Sequence, residues 1–336
     1  MATPLASRRI VIAGASSLLG MELKSLLEEG RFAASDFRLV DEETVAGILT
    51  EAGGEPAVIQ PVEEDSFNKA WLVFFAGSPA FSKRNIELAK RSSARIVDLS
   101  GEVVGQAEAQ IWLPKFDGLA SSAFRLDSNV FAIPSAPAEI IARLSGALRS
   151  LKLSALTAVA FQPVSSSAGR AGIEELEAQT GQLLSFQPLG KQVFDAQVAF
   201  TMLDRFGVAS NQKLQSSLEI LRREVRSCLP NETPFPALQL LHAPVYYGTT
   251  VTACALLDRS SADPSEITKT CASAGFSITA EDTAPSNISS AGETSLQLSA
   301  PQADPSASGA WWFWSAADNL RLPAANAVKL AEKLLE

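Results

Sequence analysis

The stretch Arg8–Leu27, RRIVIAGASSLLGMELKSLL, joins an apolar strand, a glycine-framed turn and a helix in one run. Ile10, Val11 and Ile12 form a short β-branched run of the kind that fills a strand covered on both faces. Gly14 and Gly20 bracket the turn. Leu18, Leu19, Met21, Leu23, Leu26 and Leu27 supply the apolar side of a helix that packs back onto the sheet, and Gly20 permits close helix–strand approach. This predicts the opening strand and helix of a dinucleotide-type fold. The fingerprint reads G-x-x-S-x-x-G, with Ser17 where a third glycine normally lets the backbone approach a pyrophosphate at the helix N-terminus. Gly14, Ser16, Ser17, Leu18, Leu19 and Gly20 are therefore the candidate cofactor contacts. The same residues also describe a turn that folds this way without holding a nucleotide, because a motif match is a hypothesis. If the turn requires φ > 0 at Ser17, serine there costs about 1 kcal/mol or more, and its side chain crowds a pyrophosphate. Dinucleotide binding is expected to be weak or absent.

Outward from this stretch, DFRLVDEE predicts a second strand ending at Asp41, Glu42 and Glu43, about 20 residues past the glycines. A carboxylate there accepts from a ribose 2′-OH and repels a 2′-phosphate, favouring NAD over NADP; three adjacent carboxylates also describe a solvated turn. Val58–Val62, Ala70–Ala76, Ala94–Leu99 and Ser128–Ala132 read as further strands, with helices over Phe81–Arg91 and Ala138–Leu148. This alternation predicts a doubly wound parallel sheet with its ligand crevice at the carboxyl ends of the strands, where Gly14, Gly77 and Ser100 lie. Beyond Pro134 the pattern changes to long strands, Leu151–Gln162, Leu238–Tyr246 and Thr249–Leu257, with a helix near Ser217–Cys228. That change predicts an α+β domain on a mixed or antiparallel sheet. FDAQVAFTML reads as helix-like, Asp204 and Arg205 as a solvated turn, and 283–310 as a loop with one short strand. WWFWSAADNLRLPAANAVKLAEKLLE closes the chain as a strand and a helix with Pro323 in its first turn.

At 336 residues the chain is long for one core, which predicts two domains. A net charge of −9, with no large Lys/Arg cluster, argues against nucleic acid. No run approaches the roughly 18 apolar residues of a membrane span, and MATPLASRR lacks a signal-peptide core, so a cytoplasmic protein away from membranes is expected. Cys228, Cys254 and Cys271 are too dispersed for a disulfide framework, and with His242 as the one histidine no metal site is expected. Cys228 and Cys254 read as core residues.

Several stretches in the same order resemble the aspartate-semialdehyde dehydrogenase family. GASSLLG is similar to G-A-T-G-A-V-G, FQPVSSSAGRAGIEEL to Y-Q-A-V-S-G-A-G and its helix, and HAPVYYGTT to R-V-P-V-x-x-G-H. LVFFAGSPAFSK resembles the family's strand and turn, and WSAADNLRLPAANAVKLAE its ending W-x-x-D-N-L-R-K-G-A-A-x-N-A-V-x-I-A-E. The resemblance implies a Rossmann-type nucleotide-binding domain over 1–133 plus 314–336. It implies a semialdehyde dehydrogenase-like substrate and dimerisation domain over 134–313, through which two chains pair as a homodimer.

Family chemistry uses a thiolate, a base and cationic groups for a carboxylate and a phosphate. By resemblance, the nucleophile of N-P-N-C-T-T falls on Ala136, the acid–base histidine on Thr249 and the substrate-carboxylate arginine on His242. The phosphate-binding arginine falls on Val104, beside Glu102, and the lysine of E-x-K on Ile220. Gln162 remains of the catalytic set, and Asn319, which in the family lies against the nicotinamide amide, remains too. Ser135 has no evident base to make it a substitute nucleophile. The expectation is a non-catalytic paralogue with a scaffold, ligand-sensing or assembly role, pairing with itself or with a catalytic relative. The alternative is an NAD(P)-dependent semialdehyde oxidoreductase of amino-acid biosynthesis with an altered site and substrate.

Overall fold

The computed structural model describes residues 8–114, 125, 127–258, 263–280 and 282–336. Residues 1–7, the start of the segment read as lacking a signal-peptide core, lie outside them. The described residues form two units, one from 8 to 135 and again from 323 to 336, the other from 136 to 322.

The first unit contains β1 (Arg9–Ala13), α1 (Leu18–Glu29), β2 (Asp36–Asp41), β3 (Leu49–Ala52), β4 (Glu55–Val58) and β5 (Gln60–Pro61). These are followed by β6 (Ala70–Phe75), α2 (Pro79–Arg91), β7 (Arg95–Asp98), β8 (Ala109–Ile111), β9 (Val130–Ala132) and most of α7 (Arg321–Lys333). Seven strands run in the order β5-β2-β1-β6-β7-β9-β8, all pairs parallel. Alternate side chains serve opposite faces, as a pleated strand requires. Ile10, Ile12, Leu72 and Phe74 pack with Leu23 and Leu27 of α1 and Leu330 of α7. Val11, Val73 and Phe75 pack with Phe81, Ile86 and Ala89 of α2. The sheet is thus covered on both faces, which explains the apolar runs of β1 and β6. The expected strand Val58–Val62 is divided: Val58 ends the β3–β4 hairpin, and Gln60–Pro61 pairs with β2. Pro61 has no N–H to donate, and Val62 N supplies the bond to Asp41 O (3.1 Å).

The chain leaves β1 for β2 on one side and returns to β6 on the other, so the strand order reverses between β1 and β6. Gly14 and Gly77 follow those two strands. A Cβ on Gly14, whose φ is +87°, falls 2.3 Å from Gly77 N, and one on Gly20 falls 2.3 Å from Gly14 O. The glycine frame is therefore dictated by backbone packing before any ligand is considered. Gly20→Ala tests this, because helix propensity alone favours alanine by about 1 kcal/mol. The clash with Gly14 O reverses the sign, and urea unfolding is expected to show a net loss of about 1–3 kcal/mol.

The second unit contains α3 (Ala136–Leu148), β10 (Leu153–Gln162), α4 (Val164–Leu184), α5 (Leu214–Cys228), β11 (Ala237–His242) and β12 (Thr249–Leu257). It continues with α6 (Pro264–Ser273), β13 (Phe276–Ile278), β14 (Leu296–Leu298), β15 (Gln302–Ala303) and β16 (Ala310–Ala317). Its mixed sheet runs β11-β10-β12-β16-β14-β13, with β15 on β16. Leu156, Ala158, Ala160, Val251, Ala253 and Phe313 turn to one face, where α3 and α5 pack. Val159, Phe161, Leu241, Leu256, Trp312 and Trp314 alternate with them on the opposite face. There Trp312 and Leu256 are 43% and 44% exposed.

Several expectations are corrected here. β11 ends at His242, not Tyr246, because the carbonyls of Val245 and Tyr246 accept from the N–H groups of Val164 and Ser165 at the start of α4. FDAQVAFTML is not helical: Glu175 of α4 accepts from Val193 N and Phe194 N, and Gln179 accepts from Val198 N and Ala199 N. Two buried side chains of α4 take the backbone bonds that a helix would have used. The span 283–310 carries two short strands, β14 and β15, rather than one. Helix α6 was not anticipated. β16 pairs with β12 from Ala310 to Ala317, and the residues from Pro323 onward belong to the first unit.

Candidate functional site

In the first unit the turn candidates are brought together. Ser16 donates from both its N–H (2.8 Å) and its hydroxyl (2.7 Å) to Asp41 Oδ2, and Glu42 N donates to Asp41 Oδ1 (2.8 Å). Asp41 is therefore a buried brace between the α1 turn and β2, and of the three carboxylates only Glu42 and Glu43 reach out toward solvent. Ser17 is the N-cap of α1: its hydroxyl accepts from Gly20 N (2.8 Å) and donates to Ala76 O (2.8 Å). Its φ is −67°, so the strain expected at Ser17 does not exist. Leu18 and Leu19 N–H remain as helix-terminal donors with no acceptor among the described residues. Such donors fit an anionic group, while the Ser17 side chain occupies the place where glycine leaves the backbone bare.

Asp98 ends β7 fully buried and accepts from Ser100 N, Ser100 Oγ and Val103 N. Burial pushes its carboxyl above the usual range, opposed by these bonds. The loop it holds directs Val104 into the core, at 4% exposure. No cationic side chain occupies the position expected for phosphate binding.

In the second unit four candidates converge at one end of the sheet. Gln162 pairs with His242 at the carboxyl ends of β10 and β11, Thr249 opens β12 beside them, and Asn319 follows β16. Most of their polar atoms have a partner close by. Thr249 Oγ1 donates to Phe161 O (3.1 Å), and Gln162 Nε2 donates to Ser167 Oγ (3.0 Å). Asn319 Oδ1 accepts from Gly248 N (2.7 Å), while its Nδ2 reaches Ser165 Oγ (3.1 Å) and Ser166 Oγ (2.9 Å). The serines come from the first turns of α4, where Ala168 and Gly169 (φ +56°) break the helix. This hydroxyl and amide network was missed in the sequence; its signal was the run Ser165-Ser166-Ser167 after a strand-ending glutamine.

His242 is wholly buried, its ring 5.6 Å from that of Phe206 and 6.2 Å from that of Phe194. Nε2 lies 3.2 Å from Val198 O, which makes it the protonated nitrogen, and buried Nδ1 has no partner among the described residues. Burial holds the imidazole pKa below its usual value. The folded chain therefore binds fewer protons here than the unfolded chain. The stability this gives is present above the ordinary histidine pKa and is lost as pH falls from about 6.5 through the depressed folded value. Denaturant unfolding between pH 7 and 5 is expected to show an extra slope of up to about 1.4 kcal/mol per pH unit relative to His242→Leu. Parallel pH profiles would contradict this.

Ala136 begins α3 at 1% exposure. α3 is fixed by a second feature the sequence reading missed: a buried ion pair between Arg143 and Glu139 (2.7 Å), with Arg143 also donating to Ala274 O after α6 (2.8 Å). Its signal was two opposite charges four apart inside an apolar helix. Ile220, on α5, is half-buried. The surroundings of the three thiols favour the protonated form. Burial pushes Cys228 well up and Cys271 up to about 12. Cys254, expected in the core, is only partly buried on the open face of the sheet, and desolvation raises it too, with Asp304 adding to the effect. Asp204 and Arg205 form an exposed ion pair. Among the described residues no group of His, Cys, Asp and Glu is arranged to hold a metal ion, and no helix is long and apolar enough to cross a membrane.

Comparison with known proteins matches residues 9–139 to the semialdehyde dehydrogenase NAD-binding domain and 144–322 to the semialdehyde dehydrogenase dimerisation domain. The USG-1 protein homolog of Pseudomonas aeruginosa is 28% identical, covering 100% of this chain and 99% of its own. A solved probable aspartate-semialdehyde dehydrogenase from Pseudomonas aeruginosa superposes with a TM-score of 0.85 at 25% identity, covering 98% of this chain and 99% of that one. The structure of aspartate-semialdehyde dehydrogenase II from Vibrio cholerae superposes with a TM-score of 0.85 at 20% identity, over 98% of each chain. With both domain models matched in order along almost its whole length, the chain belongs to the aspartate-semialdehyde dehydrogenase family.

Proposed function

We propose that this chain is a non-catalytic member of its family, retained for assembly and for sensing a small ligand rather than for semialdehyde oxidation. The observation that carries the reading is the commitment of the polar atoms at the expected base and carboxylate positions. Thr249 Oγ1 is bonded to Phe161 O and His242 Nε2 to Val198 O, while Ala136 has no polar side-chain atom. Acyl transfer through a thioester needs a thiolate, a proton acceptor and a fixed cation, and none of these three positions supplies its part. Turnover with aspartate semialdehyde, phosphate and nicotinamide nucleotide tests the reading; activity at the level of buffer is expected.

The assembly is a homodimer through the second unit, and a mixed dimer with a catalytic relative would use the same open sheet face. The first unit takes a nicotinamide dinucleotide weakly, with NAD favoured over NADP. Leu18 and Leu19 N–H at the α1 terminus support binding of the pyrophosphate; Ser17 weakens it. The carboxylates beyond β2 oppose a 2′-phosphate. When bound, the cofactor would supply hydride chemistry, and this chain's own residues would do no more than hold it.

A further inference from the structure

We propose that the ion pair between Glu42 and Arg84 is a latch that sets which nicotinamide dinucleotide the first unit accepts. The inference rests on the reading above that this unit takes a dinucleotide. A recess of about 400 Å³ opens beyond the carboxyl end of β2, with Asp41, Glu42, Glu43, Glu63, Arg84 and Asn85 as its polar lining. In dinucleotide folds of this strand order, the adenosine ribose lies beyond this strand end when the pyrophosphate sits on the first helix.

Arg84 is the cation among those lining residues, against four carboxylates. Its Nη2 lies 2.6 Å from Glu42 Oε1, and both side chains are about half exposed. Such a pair adds little to fold stability, so its effect falls on whatever enters the recess. The neighbouring groups are already committed. Asp41 takes Ser16 on one oxygen and Glu42 N on the other, and Asn85 Nδ2 donates to Phe81 O (2.9 Å). Glu42 alone of the lining carboxylates therefore holds the guanidinium.

With the latch closed, a ribose 2′-OH can donate to the carboxylates. A 2′-phosphate instead meets negative charge whose counter-ion is already neutralised. With Glu42 removed, Arg84 offers its planar fork to phosphate oxygens and one repelling carboxylate is gone.

Calorimetric titration of the intact chain, its Glu42→Gln variant and the Glu42→Gln/Arg84→Ala double variant tests the latch. The probes are NAD, NADP, 5′-AMP and 2′,5′-ADP. Wild type is expected to bind NAD and 5′-AMP more tightly than their 2′-phosphorylated counterparts. Glu42→Gln should raise affinity for the 2′-phosphorylated pair roughly tenfold or more relative to NAD and 5′-AMP, and the gain should shrink in high salt. Arg84→Ala in that background should remove the gain. An unchanged ratio in Glu42→Gln, or a gain that survives loss of Arg84, overturns the latch even if NAD binds. Absence of heat from NAD and 5′-AMP in all three proteins overturns the nucleotide reading itself, and the latch with it. Both substitutions are at exposed side chains, and a thermal melt verifies that each variant is folded.

Discussion

Ala136→Cys, purified and supplied with aspartate semialdehyde, phosphate and either nucleotide, is expected to turn over no faster than buffer. A thiol at the first residue of α3 gains from the helix N-terminus, yet at a position 1% exposed it loses at least as much to desolvation. The larger deficit lies elsewhere. Thr249 has no group that titrates near neutral pH, and a missing general base costs roughly 10²–10⁴ in rate. His242 is neutral, buried between Phe194 and Phe206 and bonded to Val198 O, so it anchors no carboxylate. A charged hydrogen bond lost there costs roughly a further tenfold to hundredfold. A melting curve close to wild type would establish that inactivity is chemical rather than a failure to fold. Substantial phosphate-dependent turnover from this single change would show that a base and a cation are at hand after all.

Val159→Glu is expected to split the protein into monomers without unfolding it. Val159 lies near the middle of the open sheet face, opposite Thr252 on β12 and beside Gln239 on β11, with Phe161 and Trp314 packed nearby at 6.1 Å between ring centroids. α3 and α5 cover only the other face. The indole N–H groups of Trp312 and Trp314 are satisfied within the unit, by Asp304 and Pro285 O, so what these rings present outward is apolar. A two-fold interface of the obligate kind buries above roughly 2,000 Å² and places each substitution in it twice. Two uncompensated carboxylates then cost several kcal/mol, enough to weaken association by roughly a thousandfold or more. In the monomer Val159 is only half-buried, so Glu there faces water and the fold is kept. Light scattering at micromolar concentration should give twice the chain mass of 35.6 kDa for wild type and 35.6 kDa for the variant. A wild-type monomer would contradict the assembly reading.

What was legible in the sequence follows from local physics. The strands β1 and β6 show as apolar runs because both sheet faces are covered, and Gly14 and Gly20 show because a Cβ at either collides with backbone. β12 alternates cleanly from Thr249 to Leu257 and is bounded as expected. Features set by distant partners were not legible. The segment after Phe194 looks helical on its own, but its amides are taken by Glu175 and Gln179, nineteen residues or more away in several of these bonds. β11 stops early because α4 recruits the carbonyls that follow it. At the candidate site the residue types at Ala136, Thr249 and His242 could be read from the motifs. That His242 turns inward and that Thr249 bonds to a strand carbonyl required the packing. Ser17 stands where the fingerprint has a glycine, and strain there is expected only if the turn requires φ > 0; a serine just before a helical run is also the ordinary N-cap signal, and the N-cap is what the structure contains.

The most direct measurement is wild-type turnover followed by nucleotide absorbance, with aspartate semialdehyde and phosphate in one direction and the acyl phosphate in the other. Both NAD(H) and NADP(H) would be used, at high protein concentration. A non-catalytic family member gives rates indistinguishable from buffer in all four combinations, while remaining folded. A phosphate-dependent rate that rises in proportion to protein and persists through further purification would contradict the account.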